Sequence, residues 1–419
     1  MAGTTASSSG LVRLVRGLLV RPHHDVRAAL LFWGPLAVAC LVAGFMVADN
    51  PSRSDAYFEV RNWLAMWRLG INVYEVPGLL VDYPPHALVF LSPMMLFPAA
   101  SGELVFAGFN VLICIATSWT IVSLTAGYAG VSLSRVERLA YVLMLLVWSP
   151  TRVGIWNGQT SPLLILCCCL ALRLSAWSSI VAGVLMAVGM SKPHLALGFS
   201  LLATFFRMWK MLAVAAFTTI AAALVYVATV HKGPIEVLQQ YIGNLFSVYG
   251  GPSFLRAEVD IRPFFTDLIG NYAIAEPLYL LTASILGTML LYFAWRGRHN
   301  IDAGVWVMSS GLMWSIAIFP FRRYGMLLLA PTVLMLLWRP RVSKHTLTWA
   351  GAIIFLIAAD LPFVIRHIGM QFGPPSGASY GPYLHYINRM VTVTCLIASF
   401  VTLARLSRPG LIQRTPKLS

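Results

Sequence analysis

DNPSRSDAYFEVRNWLAMWRLGINVYEVPGLLVDYPP, residues 49–85, follows directly on an apolar run from Ala28 to Ala48. That run is about 20 residues long, enough to cross a bilayer and too long for the core of a cleaved signal peptide. Residues 49–85 carry too many charges to lie in hydrocarbon and too many Trp and Tyr rings for an idle linker, so they read as a structured loop at a membrane surface. Within the loop, AYFEVRNWLAMWRL spaces its apolar residues helically, with Glu59, Arg61 and Arg68 between them. This is the pattern of an amphipathic helix lying flat at the interface on aromatic anchors. Asp82-Tyr83-Pro84-Pro85 closes the loop, and its prolines hold the chain extended before the next apolar segment.

The composition extends this reading to the whole chain. Of 419 residues, 58% are hydrophobic and 11% charged, and the mean hydropathy is +0.75; a soluble domain carries about 25% charged residues. The expected fold is an all-α polytopic membrane protein. Residues 1–27 form a cytoplasmic tail, 28–406 an integral membrane domain and 407–419 a second cytoplasmic tail. The net charge of +15 would suit a nucleic-acid binder, but the Arg and Lys residues fall in short clusters between apolar runs, as topogenic signals do. No nucleic-acid partner is expected. Cys167, Cys168 and Cys169 stand together inside an apolar run without metal-ligand spacing, and read as small hydrophobes.

Apolar runs near 101–124, 138–150, 161–177, 179–190, 195–206, 211–230, 278–295, 304–319, 324–338, 347–365 and 386–406 join the first to make about 12 expected spans. With that count the basic clusters Arg207/Lys210, Arg296/Arg298, Arg339/Arg341/Lys344 and Arg405/Arg408/Arg414/Lys417 all reach the cytoplasmic side. His86 to Ala99 is apolar but short and holds Pro93 and Pro98, so it is read as non-spanning. The external segments are then 49–85, 231–277 and 366–385, the last a Gly/Pro-rich connector.

Candidate chemistry lies where polar residues meet the membrane edge. Asp55, at the start of the amphipathic helix, is the candidate catalytic carboxylate; it also suits a helix cap. Lys192, in Ser191-Lys192-Pro193-His194, interrupts an apolar run, either as a snorkelling anchor or as a cation for phosphate. Arg322 and Arg323 fall on the external side, against the positive-inside tendency, and two guanidiniums there suit an anion. Asn157 and Gln159 can bond sugar hydroxyls or cap the helix near Ser161. Tyr83 reads as a sugar-stacking ring or an aromatic-belt residue, and His194 and Tyr324 as neighbours able to contact substrate. Glu258, Asp260, Arg262 and Asp267 read mostly as solvated loop charges.

The order GINVYEVP, YPPHALVFLSPMMLFP, NGQTSPLLIL, MSKPHLAL, RYGMLLLAP, after Asp55 and its helix, resembles glycosyltransferase family 87 over residues from about 50 to 340. The resemblance implies a GT-C-like helical bundle on the bacterial plasma membrane. It also implies a polyprenyl-phosphate sugar donor, a lipid or glycan acceptor, and inverting transfer of a hexose, expected to be mannose, on the external side. An acidic residue of the first external loop serves as base in such enzymes, which falls on Asp55. The Gly-Gln turn falls on Gly158 and Gln159, and the Lys-Pro turn on Lys192 and Pro193. Many members have His-Tyr where this chain has Arg323-Tyr324, so a phosphate contact carries over there and imidazole chemistry does not. Lys192, Arg322 and Arg323 are the expected donor-phosphate contacts. The acidic residues are not clustered, and neither metal nor cofactor is expected. A lipid-linked sugar flippase and a solute transporter are the alternatives; the first would tolerate Asp55→Asn, and the second would need ionisable residues buried mid-span, for which Asp360 is the candidate.

Overall fold

A computed structural model describes residues 26–48, 55–97, 102–249, 261–319, 323–338 and 381–407. In chain order the helices are α1 (Val26–Ala48), α2 (Asp55–Arg68), α3 (Pro85–Leu91), α4 (Gly102–Ala129), α5 (Arg135–Val147), α6 (Ser149–Trp156), α7 (Ser161–Leu174) and α8 (Ser179–Gly189). They continue as α9 (Pro193–Phe205), α10 (Trp209–Val230), α11 (Pro234–Tyr249), α12 (Arg262–Ile269), α13 (Tyr272–Arg296), α14 (Ile301–Ile318), α15 (Ala330–Trp338) and α16 (Gly381–Leu406). Short 3₁₀ segments occupy Val73–Glu75, Ser92–Leu96 and Arg323–Leu329. No strand occurs among the described residues, in keeping with an all-α chain.

Local chemistry explains where the helices begin. Ser134 and Glu137 form a reciprocal capping box at α5, and Ser178, Asn271 and Asn300 cap α8, α13 and α14 with their side chains. Helices α3, α7 and α9 instead open on proline with no side-chain cap.

Four helices of the described residues are long and apolar enough to cross a membrane: α4, α10, α13 and the Arg389–Leu406 part of α16. The count of 12 spans is therefore not reproduced. Residues 138–150 do not form one continuous helix, because Trp148 is extended (φ −66°, ψ 135°) ahead of Pro150 and the helix restarts as α6. The run 324–338 is split between a 3₁₀ segment and α15. Helices α7, α8 and α9 have 14, 11 and 13 residues, roughly 16–21 Å each against about 30 Å of hydrocarbon. The run 347–365 lies outside the described residues, and α16 starts at Gly381, inside the stretch expected as a connector. The 3₁₀ continuation of α3 to Leu96 gives a rod of roughly 20 Å, also short of a full span.

Two cores hold the bundle. The larger is built from α1, α4 to α10 and α13 to α16. Its helices approach closely at glycine: a Cβ on Gly311 of α14 would stand 3.0 Å from the Gly198 Cα of α9. The smaller core packs the loop 57–94 onto Phe106 of α4, Tyr226 and Val230 of α10, and Val237 of α11. Here the sequence expectation for α2 is corrected. Tyr57, Trp63 and Trp67 are buried inside the protein rather than anchoring it outward, and Trp67 stacks on Tyr226 at 6.0 Å. Outward-facing side chains of α10 and α13, among them Phe217, Ile220, Leu281 and Leu291, are apolar, as a lipid-facing surface requires.

Candidate functional site

The loop after α2 is tied down at both ends. Arg61 donates to the Tyr57 hydroxyl at 2.9 Å and to the Phe97 carbonyl at 2.7 Å. Asn72 is buried; its Oδ1 accepts from the Tyr226 hydroxyl at 2.9 Å and its Nδ2 donates to Gln240 of α11 at 2.6 Å. Asn244, one turn further along α11, accepts from the Val81 amide at 2.9 Å and donates to the Leu79 carbonyl at 3.0 Å. Lys232 joins Glu75 at 2.9 Å and Glu236 at 3.1 Å on the exposed side. Backbone polar groups that a loop leaves open are thus bonded by α11 side chains, and the chain reaches Asp82 and Tyr83 in one fixed path.

Tyr83 meets two other motifs at that point. Its hydroxyl is hydrogen-bonded to the Thr160 hydroxyl, and the Lys192 ammonium stands over its ring, 4.7 Å from the centroid. Lys192 is 4% exposed and donates to Gln159 Oε1 at 3.4 Å and to the Ser161 hydroxyl at 3.5 Å. These are long bonds, the kind an entering anion can replace. A cation held over an aromatic face in a desolvated place gains about 2 kcal/mol from the ring. Burial, and then the Asp82 carboxylate, push the Tyr83 phenol well above its ordinary 10, against a smaller opposing pull from its bond to Thr160. The phenol therefore stays protonated. At 3% exposure the ring is buried beneath the ammonium.

The turn between α6 and α7 supplies Gln159, and Asn110 holds it. This amide, fully buried on α4, donates to the carbonyls of Gly154 at 3.0 Å and Gln159 at 3.1 Å, while Thr117 donates to the Pro162 carbonyl at 3.0 Å. Gly158 has a positive φ of 59°, and a Cβ built there would lie 2.9 Å from the Tyr57 Cβ and 3.4 Å from the Tyr57 amide nitrogen. The turn therefore presses on the first turn of α2, two residues from Asp55. Asp55 opens that helix; its carboxylate lies outside the described side chains.

Lys192 and Thr160 are the N-cap residues of α9 and α7, so two helix N-termini without side-chain caps converge on the ammonium. Each adds a partial positive charge. The Ser191 hydroxyl beside them is buried and has no hydrogen-bond partner among the described residues. His194 is half-buried, with its ring 6.1 Å from that of Phe319, and its carbonyl accepts from Ser315. Asn157 is half-buried at the C-terminus of α6, where its backbone amide donates to the Val153 carbonyl at 3.1 Å.

Arg322 lies outside the described residues, as do Glu258, Asp260 and Asp360. Arg323 and Tyr324 open the 3₁₀ segment that packs along α6, the helix leading to the Gln159 turn; their side chains are outside the description. Arg262 is not a solvated loop charge: it is largely buried and paired with Glu276 at 2.7 Å. Asp267 is half-exposed, 3.9 Å from Arg389. No group of three His, Cys, Asp or Glu able to hold a metal ion occurs among the described residues.

Sequence reading missed Asn110, Thr160, Ser161 and the α11 amides. Asn110 carried a signal, a lone amide inside an otherwise apolar span. Asn244 and Gln240 carried none, since amides on an amphipathic helix are ordinary.

The described residues thus form helices alone, some of membrane-spanning length, with a buried cationic site where three distant motifs meet. Residues 81–320, more than half of the chain, match Glycosyltransferase family 87, and the protein belongs to that family. It is a glycosyltransferase, an enzyme that moves a sugar from a donor to an acceptor. The matched residues begin at Val81, include Tyr83, Gln159 and Lys192, and leave out Asp55 and the whole of α2. No curated protein matches the chain.

Proposed function

We propose that the protein transfers a hexose, expected to be mannose, from a polyprenyl-phosphate donor to a lipid or glycan acceptor, with inversion, at the external face of a bacterial plasma membrane. The observation that carries this reading is the buried Lys192 ammonium at the joint N-termini of α7 and α9, beside the turn that abuts the start of α2. A buried ammonium in such a place suits a monophosphate. At about 4 Å a charge pair gains roughly 4 kcal/mol at an effective dielectric of 20, against roughly 1 kcal/mol in water.

In the proposed step the acceptor hydroxyl attacks the sugar C1 while Asp55 takes its proton. The C1–O bond to phosphate breaks, and its electron pair leaves on the phosphate oxygen. Lys192 and the two helix N-termini neutralise that growing charge, with Arg322 and Arg323 as a second cationic contact. Gln159 and Asn157 bond sugar hydroxyls, Tyr83 supports Lys192 from below, and His194 and Tyr324 border the substrate. No metal takes part in this step.

Incubation of the purified protein with polyprenyl-phosphate mannose, glucose or arabinose and a membrane lipid extract tests it. A new glycolipid of inverted anomeric configuration, seen by mass spectrometry and NMR, is expected with one donor. Absence of product with all three, from a protein that is folded and inserted, overturns the reading.

A further inference from the structure

A cavity of about 560 Å³, with Asp82 on its wall, lies between α11, α12, α13, the start of α9 and the end of α14. This is an ordinary size for a small-molecule site. Its walls are mainly apolar, with Leu197, Leu245, Phe246, Leu280 and Phe319 among them. Phe246 and Leu280 line the cavity and are also 75% and 53% exposed. The cavity therefore opens sideways, between α11 and α13. Because α13 is of membrane-spanning length and apolar outside, an opening on its flank faces lipid and admits an aliphatic chain without passage through water.

The charges at the wall choose between the two lipids that a lipid-using transferase could bind. Arg262 is occupied by Glu276, with Nε to Oε2 at 2.7 Å, and by the Tyr272 hydroxyl at 2.6 Å. The other ionised group on the wall is the Asp82 carboxylate. Carboxylates accept hydrogen bonds from hydroxyls and repel phosphate. Tyr83, one residue on, lies under the ammonium that suits phosphate. Asp82 on the cavity wall and Tyr83 beneath the ammonium thus offer neighbouring places, the first for a hydroxylated head and the second for an anionic one.

We infer that this cavity seats the aliphatic part of the acceptor, a membrane lipid whose head carries sugar-type hydroxyls, and that Asp82 receives one of those hydroxyls and positions the head against the donor site. The inference rests on the reading of Lys192 as the donor-phosphate contact. It makes Asp82 a residue of acceptor choice, separate from Asp55.

The test uses full-length protein in nanodiscs, irradiated with one of two lipids bearing a diazirine in the chain: monoglucosyl diacylglycerol or polyprenyl phosphate. The glycolipid is expected to label peptides of α11 and α13 around Leu245 and Leu280. Labelling falls at least fivefold in Leu197→Trp, which fills the cavity, and in Leu280→Trp, which narrows the exposed mouth with little demand on the core. Asp82→Asn lowers labelling by the glycolipid at least threefold more than labelling by polyprenyl phosphate. Cavity labelling by polyprenyl phosphate in place of the glycolipid makes this the donor's seat and overturns the inference. So does labelling that neither tryptophan reduces, which marks annular lipid, and so does no labelling by either probe. The readout needs no turnover, so an inactive transferase with a labelled cavity defeats the proposed reaction and leaves the lipid seat standing.

Discussion

Replacing Gly158 with alanine probes the link between the Gln159 turn and Asp55 through one methyl group. Two costs follow from the structure. A residue with a Cβ at φ 59° is disfavoured by roughly 1–2 kcal/mol. The new Cβ would also stand 2.9 Å from the Tyr57 Cβ, about 0.5 Å inside ordinary van der Waals contact. Tyr57 cannot yield easily, since it is fully buried against Phe106 at 5.2 Å and bonded through its hydroxyl to Arg61. The displacement therefore passes to the first turn of α2, where Asp55 sits. A shift of about 1 Å in a reacting group costs on the order of a hundredfold in rate, so half that shift should cost roughly tenfold or more. Gly158→Ala is expected to lower kcat for glycosyl transfer by about 10 to 100-fold with donor KM changed less than about threefold, at a stability cost of roughly 2 kcal/mol. Initial rates at saturating donor, with thermal unfolding in the same detergent, measure both. A variant with kcat within twofold of the parent would show that the contact does not hold Asp55 in its working position.

Other expectations are more direct. Lys192→Met keeps the volume and removes the charge; turnover should fall about 10² to 10³-fold while the melting temperature holds or rises, since a buried charge is lost. Asp55→Asn should cost about 10² to 10⁴-fold in kcat and leave labelling by photoactivatable polyprenyl phosphate within twofold. The raised Tyr83 phenol should contribute no limb to the pH–rate profile from about pH 6 to 10, so the profile of Tyr83→Phe should keep the parent's shape. Because the folded value is raised, the stability linked to this proton is whole below the unfolded value near 10 and drains away as pH rises through the folded one. Gly198→Val, at the close crossing of α9 and α14, should cost about 3 kcal/mol or more by separating two helices, which melting in detergent would report as loss of the cooperative transition.

Helix positions were legible in the chain because prolines, serines and asparagines punctuate apolar runs, and α4, α7, α8, α9 and α10 start within about two residues of the expected runs. The sixteenth residue of a run and the first of a new helix are harder to tell apart. Ser149-Pro150 broke one expected span, and the three consecutive short helices α7 to α9 were readable as lengths but not as a shape. Residue types at Gln159 and Lys192 were suggestive because each interrupts hydrocarbon. The meeting of Thr160 and Lys192 at Tyr83 was not readable, since it joins positions 77 and 109 residues away through packing that involves α4 and α7. Aromatic rings misled for the same reason. A Trp at helical spacing looks alike whether it faces lipid or, as with Trp63, a neighbouring tyrosine ring 5.8 Å away.

Helix α11 has two employments. Its amides at 240 and 244 grip the strap that ends at Tyr83, while Ile235, Leu238, Ile242 and Phe246 point outward from its opposite side. A rod so mounted couples its oily edge to the strap, so that a tilt of α11 would be carried through Gln240 and Asn244 to the segment that ends at Tyr83. Catalytic rate in this enzyme should then track bilayer thickness and tail saturation even when every substrate is supplied in excess, much as a balance responds to the table it stands on.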